Sequence, residues 1–267
     1  MLRTPIPLAQ RHRPSPIFVI VAAMATLGVV MCAQITATDD PGIWVFVAVL
    51  AGWIVTLCIH EFAHAWVAWR SGDAEVAERG YLTLDPRRYT HPLVSIVLPV
   101  VFLALGGFGL PGGAVYINRS AIGSRWANSA VSLAGPAANL ALGFVLLLPF
   151  RLGLQPYARL EHSHFLIPGQ ASALTGALAL LGFLQFTAAF LNLLPIPGLD
   201  GFAALEPFLP SVVLKVLAPV RPFAIVLLFL VVARTHFVFA NARDLSHWMG
   251  VPAGAARDGF DWFRFWR

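Results

Sequence analysis

The chain has 267 residues, of which 58% are hydrophobic and only 12% charged, with a mean hydropathy of +0.75. Soluble domains carry about a quarter charged residues, so a soluble globular fold is excluded and a polytopic membrane protein is expected. The net charge of +5 comes from arginines, with Lys215 the only lysine; they lie between apolar runs, which marks topology and sets nucleic-acid binding aside.

A spanning helix needs about 20 apolar residues. Five stretches qualify: 17–37, 43–69, 126–150, 171–193 and 213–234. Arg3, Arg11 and Arg13 precede the first and Asp39 and Asp40 follow it, so the positive-inside rule places the N-terminus in the cytoplasm. The second span then runs outside to inside, towards Arg70, Arg79, Arg87 and Arg88.

Residues 93–106 are apolar but rise only about 20 Å as a helix, short of a roughly 30 Å hydrocarbon core. The glycine-rich run Gly106 to Gly113 and the strand-like Ala114-Val115-Tyr116-Ile117 follow. This reads as a re-entrant helix and β-hairpin beside a site, because irregular backbone at membrane depth needs protein or a wet cavity around it; the alternative, a full span over 93–111, would invert every later helix. The expected fold is all-α and polytopic, with about five to six transmembrane helices plus this element. It forms one membrane-embedded domain over 1–267: a cytoplasmic segment 1–16, a catalytic core 43–205 and an interfacial segment 235–267. A half-helix around 236–249 is an alternative reading of part of that last segment.

His60-Glu61-Phe62-Ala63-His64 lies inside the second span. Two histidines four residues apart on a helix face one metal ion, and Glu61 lies about 100° round, near a metal-held water rather than the metal. Such a carboxylate takes the water's proton and passes it to the leaving amine, while the metal acidifies the water and polarises the carbonyl. Of the thirteen acidic residues, Glu61 alone falls in the middle of a predicted span, where ionisable groups are costly and usually functional. Catalytic zinc takes three protein ligands, so a third must reach the same depth. Asp200, after Pro195 and Pro197 at the end of span 171–193, meets that demand; taken alone it equally suits a capping aspartate in a Pro/Gly turn.

The His-Glu-x-x-His helix, the segment Asn192-Leu193-Leu194-Pro195-Ile196-Pro197-Gly198-Leu199-Asp200-Gly201 and the intervening Gly135-Pro136-Ala137-Ala138-Asn139 resemble the site-2 protease family of intramembrane metalloproteases. The resemblance covers about residues 43–205. It implies one Zn2+ held by His60, His64 and Asp200, with Glu61 as catalytic base and Asn192 contacting substrate or oxyanion. Asn139 reads either as a substrate contact or as a polar link between packed helices. No PDZ-like or CBS-like insertion is found, so the resemblance is to a minimal member. The implied activity is hydrolysis of a peptide bond in or beside a transmembrane protein or peptide substrate, in a prokaryotic cell membrane, with the lipid bilayer as surroundings. A metal transporter using the same residues, or another membrane zinc hydrolase with Glu206 as third ligand, are the alternatives. Cys58 and His91 read as packing and interfacial residues, and His162 and His164 as loop residues.

Overall fold

The computed structural model describes residues 13–35, 39–89, 115–154 and 172–266, and among them every regular element is helical. Four helices are long and apolar enough to cross a membrane: α1 (Pro16–Gln34), α2 (Gly42–Arg70), α4 (Arg125–Arg151) and α5 (Ala173–Asn192), with the single-turn α3 (Glu75–Glu78) after α2. They agree with the first four expected spans to within three residues. Three begin on serine caps, with Ser15, Ser124 and Ser172 accepting from the N–H of Phe18, Ala127 and Thr175, which satisfies donors that the helix leaves open.

The centre belongs to α2 and α5. Their apolar windows are 56% and 72% buried in the protein, against 11% for α1. The rods touch where glycine permits: Gly28 of α1 lies on the Ala48 backbone, Gly52 of α2 against Leu181, and Gly182 of α5 against Leu147. Small residues at crossings let apolar helices approach closely without a hydrophobic drive from water. A buried hydrogen bond from Gln185 Nε2 to Thr56 Oγ1 (2.9 Å) adds a polar link between α2 and α5.

These contacts fix the direction of each rod. Ser15 N donates to Thr83 O (2.8 Å), placing the start of α1 beside the end of α2. Cys32, late in α1, packs with Val45 near the start of α2. The start of α4 meets the end of α2, and α5 runs parallel to α2. Tyr89 and Val115 both reach that same end of α2, bonding Cys58 O and Glu61. The expected re-entrant element, apart from 115–118, lies outside the described residues. Residues 115–118 are neither helical nor, among the described residues, part of a paired strand; the inward Val115 and Ile117 and the exposed Tyr116 between them follow the alternation of a single extended segment.

The expected span 213–234 is not straight. It comprises α7 (Ser211–Leu217), a 3-10 segment Ala218–Phe223 and α8 (Ala224–Arg234), with a bend of 84° between its halves. Pro219 and Pro222 have no N–H for the helical ladder, which accounts for the break. Next comes α9 (Phe237–Trp248), the half-helix expected near 236–249. It starts with Phe237 against Phe190 at the end of α5 and finishes with Trp248 near Phe144. Finally α10 (Ala255–Phe263) crosses the start of α5, Gly259 lying on the Gly176 backbone. Phe263, Phe265 and Trp266 pack around Phe46 near the start of α2.

Candidate metal centre

His60, Glu61 and His64 lie on α2 about 27 Å of helical rise beyond Gly42, and all three are buried. Asp200 arrives from α5 by an irregular path. After Asn192 the chain meets Pro195 and Pro197, turns at Gly198 with φ of 98°, and enters the short helix α6 (Asp200–Leu205). A left-handed residue is tolerated there because glycine has no Cβ. Gly201 matters for a second reason: a Cβ on it would strike the Leu193 carbonyl, so α6 folds back tightly over the end of α5. Asp200 therefore begins a new helix rather than ending α5.

The three donors converge. His60 Nε2 and His64 Nε2 are 3.1 Å apart, and each is 3.4 Å from Asp200 Oδ2. Tetrahedral zinc with ligand bonds of about 2.0–2.2 Å sets its donors about 3.3–3.6 Å apart; both His–Asp separations fall in that range and the His–His separation lies about 0.2 Å below it, so this set fits zinc. The orientation of His64 supports the same reading. Its Nδ1 lies 2.6 Å from the Val131 carbonyl; a carbonyl only accepts, so Nδ1 carries the proton and Nε2 keeps its lone pair for metal. These three residues form the metal-ligand group present among the described residues.

Helix α4 shapes the other wall. A Cβ on Gly135 would overlap the His60 and His64 imidazoles, so this glycine lets the α4 backbone lie directly on the two rings. Pro136 has no N–H for the Ser132 carbonyl one turn earlier. Asn139, one turn further on, is buried and does not line the cavity; its position suits packing between helices.

A cavity of about 370 Å³ opens from the centre and is lined by Glu61, Asn192 and Asp200 among others. Glu61 is only 2% exposed, and its Oε2 accepts from the Val115 N–H at 3.1 Å. The segment 115–118 is held three times. Besides Val115, the Tyr116 ring packs under the Arg79 guanidinium at 4.5 Å, and the Asn118 N–H donates to Asp73 Oδ2 at 2.7 Å. Val115 and Ile117 line the cavity while Tyr116 faces away, as alternation in extended backbone requires.

The remaining candidates fall elsewhere. Cys58 is buried, with its carbonyl accepting from Tyr89 OH, and is not a ligand in the group. Glu206 lines the cavity but pairs with Arg221. His91, His162 and His164 lie outside the described residues. Gly135 as a wall of the candidate centre, Val131 as the carbonyl on His64, and Asp73 and Arg119 beside the cavity are contacts that the expected motifs do not include. The Gly135-Pro136 pair was the one available signal.

Curated relatives agree with the geometry. Proteins named "Putative zinc metalloprotease Rip2" from Mycobacterium tuberculosis and Mycolicibacterium smegmatis are 45% and 44% identical over 259 and 265 residues, covering 95% and 97% of both chains. The chain belongs to the site-2 protease family. A further relative, "Putative zinc metalloprotease YwhC" of Bacillus subtilis, is 31% identical over 161 residues, 59% of this chain and 67% of its own. No family model and no solved structure matches. As a member of this family the chain is a zinc metalloprotease, a membrane protein of bacteria whose substrates are proteins.

Proposed function

We propose that the protein is an intramembrane endopeptidase that cleaves a membrane protein within or beside a transmembrane helix. The observation that carries this reading is the convergence of His60, His64 and Asp200 at zinc-ligand spacing, with the Glu61 carboxylate in the same cavity, late in an apolar helix.

In this reading His60, His64 and Asp200 hold the zinc. Bound zinc supplies an acidified water and polarises the scissile carbonyl. Glu61 takes the water's proton and delivers it to the leaving amine. The Val115 N–H holds Oε2 and keeps the carboxylate aimed. Asn192, on the cavity wall, donates to the substrate carbonyl, and Asn139 serves packing. The extended edge at 115–117 accepts the locally unwound substrate as an added strand. Arg70, Arg79, Arg87, Arg88 and Arg125 follow or precede the helix ends nearest the site, which supports a cytoplasmic N-terminus and a site in the inner leaflet.

The test compares membrane peptides that accumulate in cells carrying the wild-type protein or Glu61→Gln, with zinc per chain measured on both. Truncated membrane peptides made only by the wild type, at equal zinc content, are the expected result. Metal flux by either protein with no cleaved peptide would assign the site to transport instead.

A further inference from the structure

We propose that Arg119 is a carboxylate-binding, specificity-determining residue of the substrate cleft, taking an acidic side chain of the bound polypeptide or the C-terminal carboxylate that cleavage creates. The inference rests on the protease reading above and adds a substrate chemistry to it.

Arg119 directly follows the pinned segment 115–118 and lines the same cavity as His60, Glu61, His64 and Asp200. Its anchors are neutral. Nη2 donates to Ser132 Oγ at 2.9 Å and Nη1 to the Asn128 carbonyl at 3.3 Å. Ser132 is 2% exposed and gives its own hydrogen to Asn128 O, so its oxygen faces Arg119 as an acceptor. These bonds fix the guanidinium against α4 without neutralising it.

The cavity's charges show what is left over. With neutral imidazoles, a divalent zinc is balanced by Glu61 and Asp200. Arg221 is balanced by Glu206, its ion-pair partner. Arg119 has no carboxylate partner among the described residues, which leaves the cleft with one uncompensated positive charge. It differs in this from Arg79, which is paired with Glu75 outside the cavity. An unpaired cation in a membrane-embedded cavity is costly. Of the five guanidinium donors, two are used by the anchors. The rest form a fork that matches a carboxylate in both charge and shape. An amide or hydroxyl on the substrate would leave the charge uncompensated.

The test uses full-length, zinc-loaded protein carrying Glu61→Gln, in nanodiscs, so that binding is read without turnover. Fluorescent transmembrane peptides differ by a single Glu or Gln, moved one position at a time along the peptide, and affinity is read by anisotropy. A second set ends at successive positions with either a free carboxylate or an amide.

The expected result is one register, in either set, at which the carboxylate peptide binds about tenfold more tightly than its neutral partner. Adding Arg119→Gln should remove that ratio while leaving the neutral peptide's affinity within about twofold, and Arg119→Lys should keep part of it. The set that shows the preference identifies the source of the carboxylate. No preference at any register in the Arg119-containing protein overturns the proposal without recourse to an Arg119 variant. A preference that survives Arg119→Gln overturns it too. Carboxylate preference without cleavage by the active protein would sink the protease reading alone; cleavage without preference would sink only the role of Arg119.

Discussion

The backbone N–H of Val115 donates to Oε2 of Glu61 at 3.1 Å, across 54 residues of sequence. The bond ties the extended wall of the cavity to the group at its centre. A hydrogen bond to a charged group contributes about 1.5–3 kcal/mol. Val115→Pro, which has no N–H, should therefore lower turnover about 10- to 100-fold with zinc content unchanged, whereas Val115→Ala keeps the donor and most of the rate. Peptide cleavage and zinc per chain measured on both variants check this.

Gly135 of α4 lies against the imidazoles of both His60 and His64. Gly135→Ala would press a methyl group onto both imidazoles and is expected to lower zinc per chain severalfold. Gly123→Ala, at a position with nothing within 4 Å, should leave it unchanged. Elemental analysis of the two purified variants makes the comparison.

Asp73 is 1% exposed, and its carboxylate accepts from the N–H groups of Glu75 and Asn118. Asp73→Ala strands two donors, each costing about 1–3 kcal/mol when buried. The expected outcome is a lower unfolding temperature in detergent and slower turnover, with zinc retained because no ligand moves. Zinc loss in this variant would show that the tether carries the metal centre as well.

In the loop after α2, burial raises the Asp85 carboxyl, but hydrogen bonds from the Arg87 side chain and backbone, with the charges of Arg87 and Arg88, outweigh it and hold the group below its ordinary value. A depressed folded-state value stabilises the fold above the unfolded carboxyl's range near pH 4, and this is lost as pH falls through the folded value. Wild type should thus unfold at a higher temperature than Asp85→Asn at pH 6, and the gap should close as pH falls from about 5 towards 3. Thermal scans across that range read it directly.

The long rods were legible because each crossing needs a continuous apolar run, and hydropathy reports that directly. The fifth run differs in shape: 213–234 is apolar enough on average to read as one span despite Lys215 and Arg221, and mean hydropathy hides the turn that Pro219 and Pro222 make. His60, Glu61 and His64 were legible because helical spacing alone puts the two histidines on one face and Glu61 about 100° round beside them. Asp200 followed from a demand for a third donor at equal depth. What stayed hidden depends on which backbones meet. The Val131 carbonyl on His64, the Gly135 Cα under both imidazoles and the Asp73 carboxylate on Asn118 are contacts across dozens of residues, and no local pattern encodes them.

The opposed ends of the chain have a practical meaning. Ser15 is bonded to Thr83 beyond the end of α2, while Phe265 lies against Gly42 at its start. Reporters inserted beside Ser15 and beside Phe265 are therefore expected on opposite sides of the bilayer, which compartment-specific labelling of the two would check. Fixing the compartment of one reporter then predicts that of the other.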